Sequence, residues 1–145
     1  MKTLSLKIVT PERIVFEDLV EAVSVMTQTG EITILPNHAP LVSLLKAGEM
    51  RLFSKGMESL LAVSTGVIEV KPGNEVIVLA DTAERADELV LEQIEEAKKL
   101  AQKRLEEARN KSEVAYADAL VNLEKELARY KVAMKGKYRN VGKTR

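Results

Sequence analysis

The chain contains no cysteine and no tryptophan, one histidine, two phenylalanines and three tyrosines. Without cysteine there is no disulfide framework and no thiolate metal site, which fits a reducing compartment. The lone histidine, His38, cannot by itself make an ordinary zinc site. So few aromatics, none interleaved with basic residues, provide no stacking platform for single-stranded nucleic acid. No serine stands in a nucleophile-elbow pattern, and no GxGxxG or GxxxxGKS/T loop is present to cradle phosphate. No apolar run approaches the roughly 20 residues of a membrane span. The N-terminus lacks a signal-peptide pattern, so a soluble chain that is not exported is expected. The expectation is a chain with no catalytic residues, no metal and no cofactor of its own.

Proline and glycine are missing from one half only. Pro11, Pro36, Pro40 and Pro72 all precede Asp81, as do five of the seven glycines, and Asn74–Lys135 contains neither residue. The first part alternates in the manner of short strands. Leu4, Leu6 and Ile8 interleave with Ser5 and Lys7, and Ile32 and Ile34 do the same within Glu31–Leu35. Further strand segments are Ile14–Glu17, Val20–Met26, Leu41–Leu45, Glu49–Phe53, Glu58–Val63, Val67–Val70 and Glu75–Ala80. Turn formers such as Lys55-Gly56 and Lys71-Pro72-Gly73-Asn74 separate them. About nine strands at this spacing predict an antiparallel sandwich or flattened barrel.

From Ala83 onward Ala, Leu, Glu, Lys and Arg dominate. Asp81 or Thr82 is a suitable N-cap, and early acids suit the positive end of a helix. Val90, Ile94, Ala97, Ala101, Leu105 and Ala108 form one apolar stripe. Asn110-Lys111-Ser112 reads as a break, with Ser112 as the next N-cap. Tyr116, Leu120, Leu123, Leu127, Tyr130 and Met134 form a second stripe. Two amphipathic helices with so short a connection predict an antiparallel hairpin. Its Ala-rich first stripe buries little area, so the pair is expected to be weakly held. The fold class is therefore α+β, with a sandwich at 1–83 and a helical hairpin at 84–145.

Zero net charge conceals an imbalance. Met1–Ala83 holds seven Lys+Arg against ten Asp+Glu, a net −3; Glu84–Arg145 holds fifteen against twelve, a net +3. Lys125–Arg145 alone carries eight bases against one acid, Glu126. Such an end is an electrostatic footprint for an acidic partner, or a solvated terminus.

Fold rules do not account for GEITILPNHAPLV (Gly30–Val42), a strand, a Pro-Asn turn and a His-Ala-Pro exit. Together with TPERIVF (Thr10–Phe16), TGVIEVKPGNEVIVLADTAERA (Thr65–Ala86) and the helical arm, it resembles the ε subunit of F-type ATP synthases over nearly the whole chain. The resemblance implies a central-stalk rotor part, not an enzyme by itself, on the cytoplasmic face of the bacterial inner membrane. It associates with that membrane only through the complex, and helps couple c-ring rotation to ATP synthesis. Partners would be the γ subunit, the c-ring and, when the arm extends, the catalytic α/β subunits, whose ATP hydrolysis the arm suppresses; nucleic acid is not among them. Glu31 and Pro36 would face the c-ring, and Thr10, His38, Ser43 and Thr65 the γ subunit. Arg129, Lys131, Lys135, Lys137 and Arg139 would meet an acidic loop of the catalytic β subunit. Some bacterial members bind ATP through an Ile/Leu-Asp-x-x-Arg-Ala motif on the first helix. The matching stretch here, Leu89–Ile94, has Val90 for the acid, Gln93 for the base and Ile94 for the small residue, so ATP binding is expected to be weak or absent. The alternative reading is a free-standing adaptor or nucleic-acid-binding module using the basic tail. A hydrolase would need a site built around His38.

Overall fold

The computed structural model describes the backbone of residues 2–143 and the side chains of residues 2–136. Ten strands come first: β1 (Leu4–Val9), β2 (Ile14–Val20), β3 (Ala22–Thr27), β4 (Gly30–Ile34), β5 (Leu41–Leu45), β6 (Gly48–Ser54), β7 (Met57–Val63), β8 (Gly66–Lys71), β9 (Glu75–Ala80) and β10 (Ala83–Arg85). They run in the order β10-β7-β6-β3-β5-β8-β9-β1-β2, with β4 added on β3. The two halves, β10-β7-β6-β3-β4 and β5-β8-β9-β1-β2, meet at the single pair Thr27–Leu45. Alternation closes them over one core: Leu4, Leu6 and Ile8 of β1 are fully buried together with Ile34, Met50, Ile68, Val76 and Val78. The expected all-antiparallel pairing needs one correction, because β1 lies parallel to β9. The long excursion between those strands allows a crossover that a tight hairpin does not.

Local chemistry fixes the turns. Lys55 and Gly56, both at positive φ, join β6 to β7 through the pair Ser54–Met57. That is the backbone of a two-residue hairpin whose twist matches its strands. Gly66 serves another purpose: a Cβ there would lie 2.0 Å from the Leu79 carbonyl oxygen and 2.7 Å from the Ala80 Cα. Only glycine lets β8 come this close to β9.

The helix start expected at Asp81 or Thr82 is not where the helix begins. Thr65 Oγ1 donates to the Asp81 carboxylate at 3.1 Å, and the Thr82 amide donates to Ser64 Oγ at 2.8 Å. Both capping residues are thus engaged at the join between β7 and β10. Ala83–Arg85 adds a tenth strand on β7, and a single 3-10 turn follows at Ala86–Glu88. Helix α1 then spans Leu91–Ala108, with Val90 as an N-cap that has no side-chain bond to offer. The second start is as expected: Ser112 Oγ accepts the Ala115 amide at 3.0 Å, and α2 runs Glu113–Lys143.

Helix α2 is the middle layer, touching α1 on one side and β6 and β7 on the other. On α1, Ile94, Ala101 and Ala108 are buried as the first stripe requires, while Val90 stays exposed. On α2, among the described side chains, the buried residues are Glu126, Ala128, Val132 and Ala133, and Leu120 and Leu127 of the expected stripe remain exposed. One stripe of large side chains cannot serve two neighbours. The sheet-facing side is instead made of small residues at helical spacing, Ala128, Val132 and Gly136, where a Cβ on Gly136 would come within 3.3 Å of Ala86 Cβ. Among the described residues no helix is long and apolar enough to cross a membrane.

Candidate functional site

Two surfaces gather the chemistry of this molecule, and neither resembles a catalytic pocket. The first is the outer face of the half-sheet β5-β8-β9-β1-β2. Strand register aligns Leu44, Val67, Leu79, Val9 and Ile14 as successive cross-strand neighbours. Leu44, Leu79 and Ile14 are each more than half exposed. The adjacent row, Val42, Glu69, Ile77, Lys7 and Glu17, mixes apolar with charged residues. A continuous apolar row with a polar border is the anatomy of a protein-docking face.

The residues expected to face γ divide around this surface. Ser43 pairs with buried Ile68, so it lies on the inner side of β5, whereas its neighbours Val42 and Leu44 point outward. Thr10 follows β1, its hydroxyl closing a turn with Arg13, and Thr65 precedes β8. Both lie at the end of the half-sheet marked by the pairs Gly66–Ala80 and Val9–Leu79. His38 lies at the other end, where the preceding Asn37 amide donates to Asn74 Oδ1 at 2.6 Å. Its Nδ1–H donates to the Ala39 carbonyl at 2.7 Å, so this nitrogen is satisfied within the loop. Pro36 and Asn37 occupy the centre of a turn closed by the His38 amide on the Leu35 carbonyl, and Asn37 adopts φ 68°. This is type II geometry, which Pro-Asn suits by composition.

The two residues expected at the c-ring are separated by the length of β4. Glu31 is its second residue and Pro36 lies two beyond its last, about 16 Å apart at strand rise. Glu31 is exposed and accepts a charge-assisted bond from Arg51 of β6. Arg51 also lies 3.7 Å from Glu49, so one guanidinium links the two acids.

The second surface is the seam between α2 and the sandwich. Arg129 reaches Glu84 of β10 through Nε at 2.8 Å and through a second nitrogen at 3.1 Å, and it reaches buried Glu126, one turn earlier, at 2.8 Å. Burial opposes the Arg129 charge, but the bonds and charges of Glu84 and Glu126 outweigh it and hold its pKa above the ordinary arginine value. The ion cluster thus keeps its cation across neutral and alkaline pH and would lose it only as pH rose through that raised value. Lys135 Nζ lies 2.7 Å from the nearly buried Glu49 carboxylate. Lys131 is exposed on the rim of a cleft of about 300 Å3 shared with Glu31, Lys46, Glu49 and Glu124. Of the five expected arm cations, then, two are neutralised by the sandwich and one is free at the surface. Lys137 and Arg139 lie outside the residues whose side chains are described. Sequence periodicity missed this seam because its acids, Glu49 and Glu84, sit on separate strands; the Ala128–Val132–Gly136 spacing was the available signal for the contact.

Val90 and Gln93 are exposed, and Ile94 is completely buried on α1. At the departed nucleotide motif, neither residue in the positions of the acid and the base carries a charge. Among the described residues no group of three His, Asp or Glu is placed to hold a metal.

Comparison with known proteins agrees with this architecture. The family profile described as ATP synthase, Delta/Epsilon chain, beta-sandwich domain matches residues 3–86. The ATP synthase epsilon chain of Desulforamulus reducens is 42% identical over 132 residues, covering 91% of this chain and 98% of that one. That of Bacillus pumilus is 40% identical over 135 residues, covering 93% and 100%. Among solved structures, a chain of the Euglena gracilis mitochondrial ATP synthase OSCP/F1/c-ring assembly superposes with a TM-score of 0.74 at 18% identity, covering 88% of this chain and 79% of that one. A chain of the Tetrahymena thermophila mitochondrial ATP synthase central stalk and c-ring gives 0.59 at 12% identity, covering 92% and 99%. With a sandwich profile over more than half its length and relatives matched end to end through the helices, the chain belongs to the ATP synthase epsilon-chain family.

Proposed function

We propose that this chain works as a non-catalytic rotor subunit of an F-type ATP synthase, in which the sandwich, carried past the expected boundary at residue 83 by strand β10, is an anchor and the two helices that follow are a detachable brake on ATP hydrolysis. The observation that carries this reading is the extent of the kinship: the alignment with the D. reducens epsilon chain spans 98% of that protein, sandwich and helices alike. The apolar row Leu44–Val67–Leu79–Val9–Ile14 supports docking on a γ subunit, with Thr10 and Thr65 at one end of the half-sheet, His38 at the other, and Val42 and Leu44 taking the place of inward-facing Ser43. Exposed Glu31 at one end of β4 and the stiff Pro36 turn at the other support contacts to a c-ring. As part of the complex the chain would lie peripherally on the cytoplasmic face of the bacterial inner membrane.

The brake reading assigns Arg129, Lys131, Lys135, Lys137 and Arg139 to an acidic surface of the catalytic subunits. A nucleic-acid adaptor is not favoured, because Arg129 and Lys135 already face acids of the sandwich and no aromatic platform accompanies them. Titrating a catalytic α/β–γ complex that lacks its own ε with the full chain tests the reading. The chain should bind and suppress ATP hydrolysis, and the variant with all five cations replaced by Ala should bind but suppress several-fold less. Equal suppression by the variant would remove these cations from the brake; failure of the native chain to bind would remove the anchor.

A further inference from the structure

We infer that the docked hairpin is held by an ionic register lock, in which Arg129 and Lys135 of α2 clamp a single cross-strand row, Glu84–Ala62–Glu49, with Val132 between them. The row follows from strand register. Ala62 of β7 pairs with Glu84 of β10 on one side and with Glu49 of β6 on the other. Its three side chains therefore project from the same face, spaced by two inter-strand steps, about 9.6 Å in all. On the helix, Arg129, Val132 and Lys135 recur every three residues and share a face, spanning six residues, or about 9 Å of rise. The two spacings match when α2 crosses the strands, and the contacts are those expected. Arg129 takes Glu84, fully buried Val132 sits on Leu60 and Ala62, and Lys135 takes Glu49.

Each part has a distinct role. The buried apolar contact is small, Val132 on Leu60 and Ala62 with Ala86 and Leu89 partly buried beside it, and it is joined by the close approach of Gly136 to Ala86. The flanking charges add to the choice of register, because a slip of α2 by one turn would carry both cations away from their carboxylates, the nearly buried Glu49 and the half-buried Glu84. Glu126 and Arg51 hold the clamp from behind, the first against Arg129 and the second against Glu49.

The lock also gates the arm. While α2 is docked, Arg129 and Lys135 are engaged by Glu84 and Glu49 and are less available to an acidic partner. Undocking releases both from the sandwich at once, leaving Arg129 with Glu126 of its own helix, and the partner must out-compete a row of acids already in position. The docking part of this inference stands on the free chain; the gating part rests on the brake reading above.

Because the chain has no cysteine, spin labels can be placed cleanly at Lys55→Cys and Gln102→Cys, on the β6–β7 turn and the exposed side of α1. The native background should give one narrow inter-label distance. Glu49→Gln with Glu84→Gln should raise the undocked, broadly distributed fraction at least several-fold, with the sandwich still melting cooperatively. Swapping one pair, Glu49→Lys with Lys135→Glu, should restore the narrow distance that each single change broadens, which simple loss of packing would not do. An unchanged distance in the double Gln variant, or no restoration by the swap, overturns the lock. In the ε-free catalytic complex the double Gln variant should suppress hydrolysis at several-fold lower concentration than the native chain. Undocking without any change in suppression would leave the lock standing and overturn the brake.

Discussion

The sandwich and the hairpin are both helped by small and branched aliphatic residues, yet they hold themselves together in different ways. The sandwich closes on a single cluster in which Leu4, Leu6, Ile8, Val23, Ile34, Met50, Ile68, Val76 and Val78 are all withdrawn from water. In the hairpin, among the described residues, only Ile94 and Val132 are buried to the same degree, and alanines fill the rest of the seam. Burial at roughly 25 cal/mol per Å2 favours the sandwich heavily. The hairpin compensates with ions, Arg129 on Glu84 and Glu126 and Lys135 on Glu49. An apolar core is indifferent to partners. An ionic seam can be exchanged for another of the same charge pattern, which suits the detachment proposed for the hairpin. Stability within one chain need not be uniform, and elements that move are drawn from its weaker end.

The largest expected effect falls on the sandwich. Gly66→Ala places a methyl carbon against the backbone of Leu79 and Ala80, which no rotamer change relieves. It should cost about 3 kcal/mol or more and lower the cooperative melting transition followed by circular dichroism. Ile94→Ala comes next and separates the regions. The local loss is about 2–4 kcal/mol, within the range for a buried aliphatic truncation. It should appear as rapid proteolysis within α1 and α2, while the sandwich transition moves far less than after Leu6→Ala. Equal shifts for the two would mean the halves unfold as one. Ser112→Ala removes the cap that meets the Ala115 amide, at a cost of about 1 kcal/mol confined to the start of α2, and should lower helicity without changing the sandwich transition. The smallest effect expected is none: millimolar ATP should leave the melting temperature of the free chain unchanged, since Val90 and Gln93 supply no charge for phosphate or its support. Micromolar binding by calorimetry would contradict this.

Much of the sandwich is legible in the sequence because a half-buried strand writes its period directly. Leu4, Leu6 and Ile8 alternate in the sequence and are all core. The tenth strand is not legible in this way. Ala83–Arg85 is too short to show a period, and Asp81-Thr82 reads locally as a helix cap until Ser64 and Thr65 claim those groups from across the fold. The parallel β1–β9 pair is hidden for a similar reason, since partner choice over seventy residues leaves no local trace. On α2 the large residues include Tyr130, whose ring centre lies 4.3 Å from Lys98 Nζ of α1, and they leave the contact with the sheet unmarked. Packing against a sheet selected Ala128, Val132 and Gly136, whose smallness is the signal. The candidate site is legible as a set of charges, but not as a geometry: the basic arm can be counted, whereas Glu49 and Glu84 become its partners only once β6, β7 and β10 lie side by side. Outward-facing Val42 and Leu44 were within reach of the alternation rule once the inward face of β5 was known, and that places Ser43 on the opposite face from the proposed docking row.

The measurement that tests the central claim most directly is native-state hydrogen exchange of the full chain, resolved by residue under mild denaturant. The amides of α1 and α2 should exchange through an opening far less costly than global unfolding, well separated from those of β1, β6, β8 and β9, and that opening should become easier in the Glu49→Gln, Glu84→Gln variant. Exchange of helices and core strands through one common opening would contradict the account, because the hairpin would then be part of the sandwich's cooperative unit and not a detachable arm.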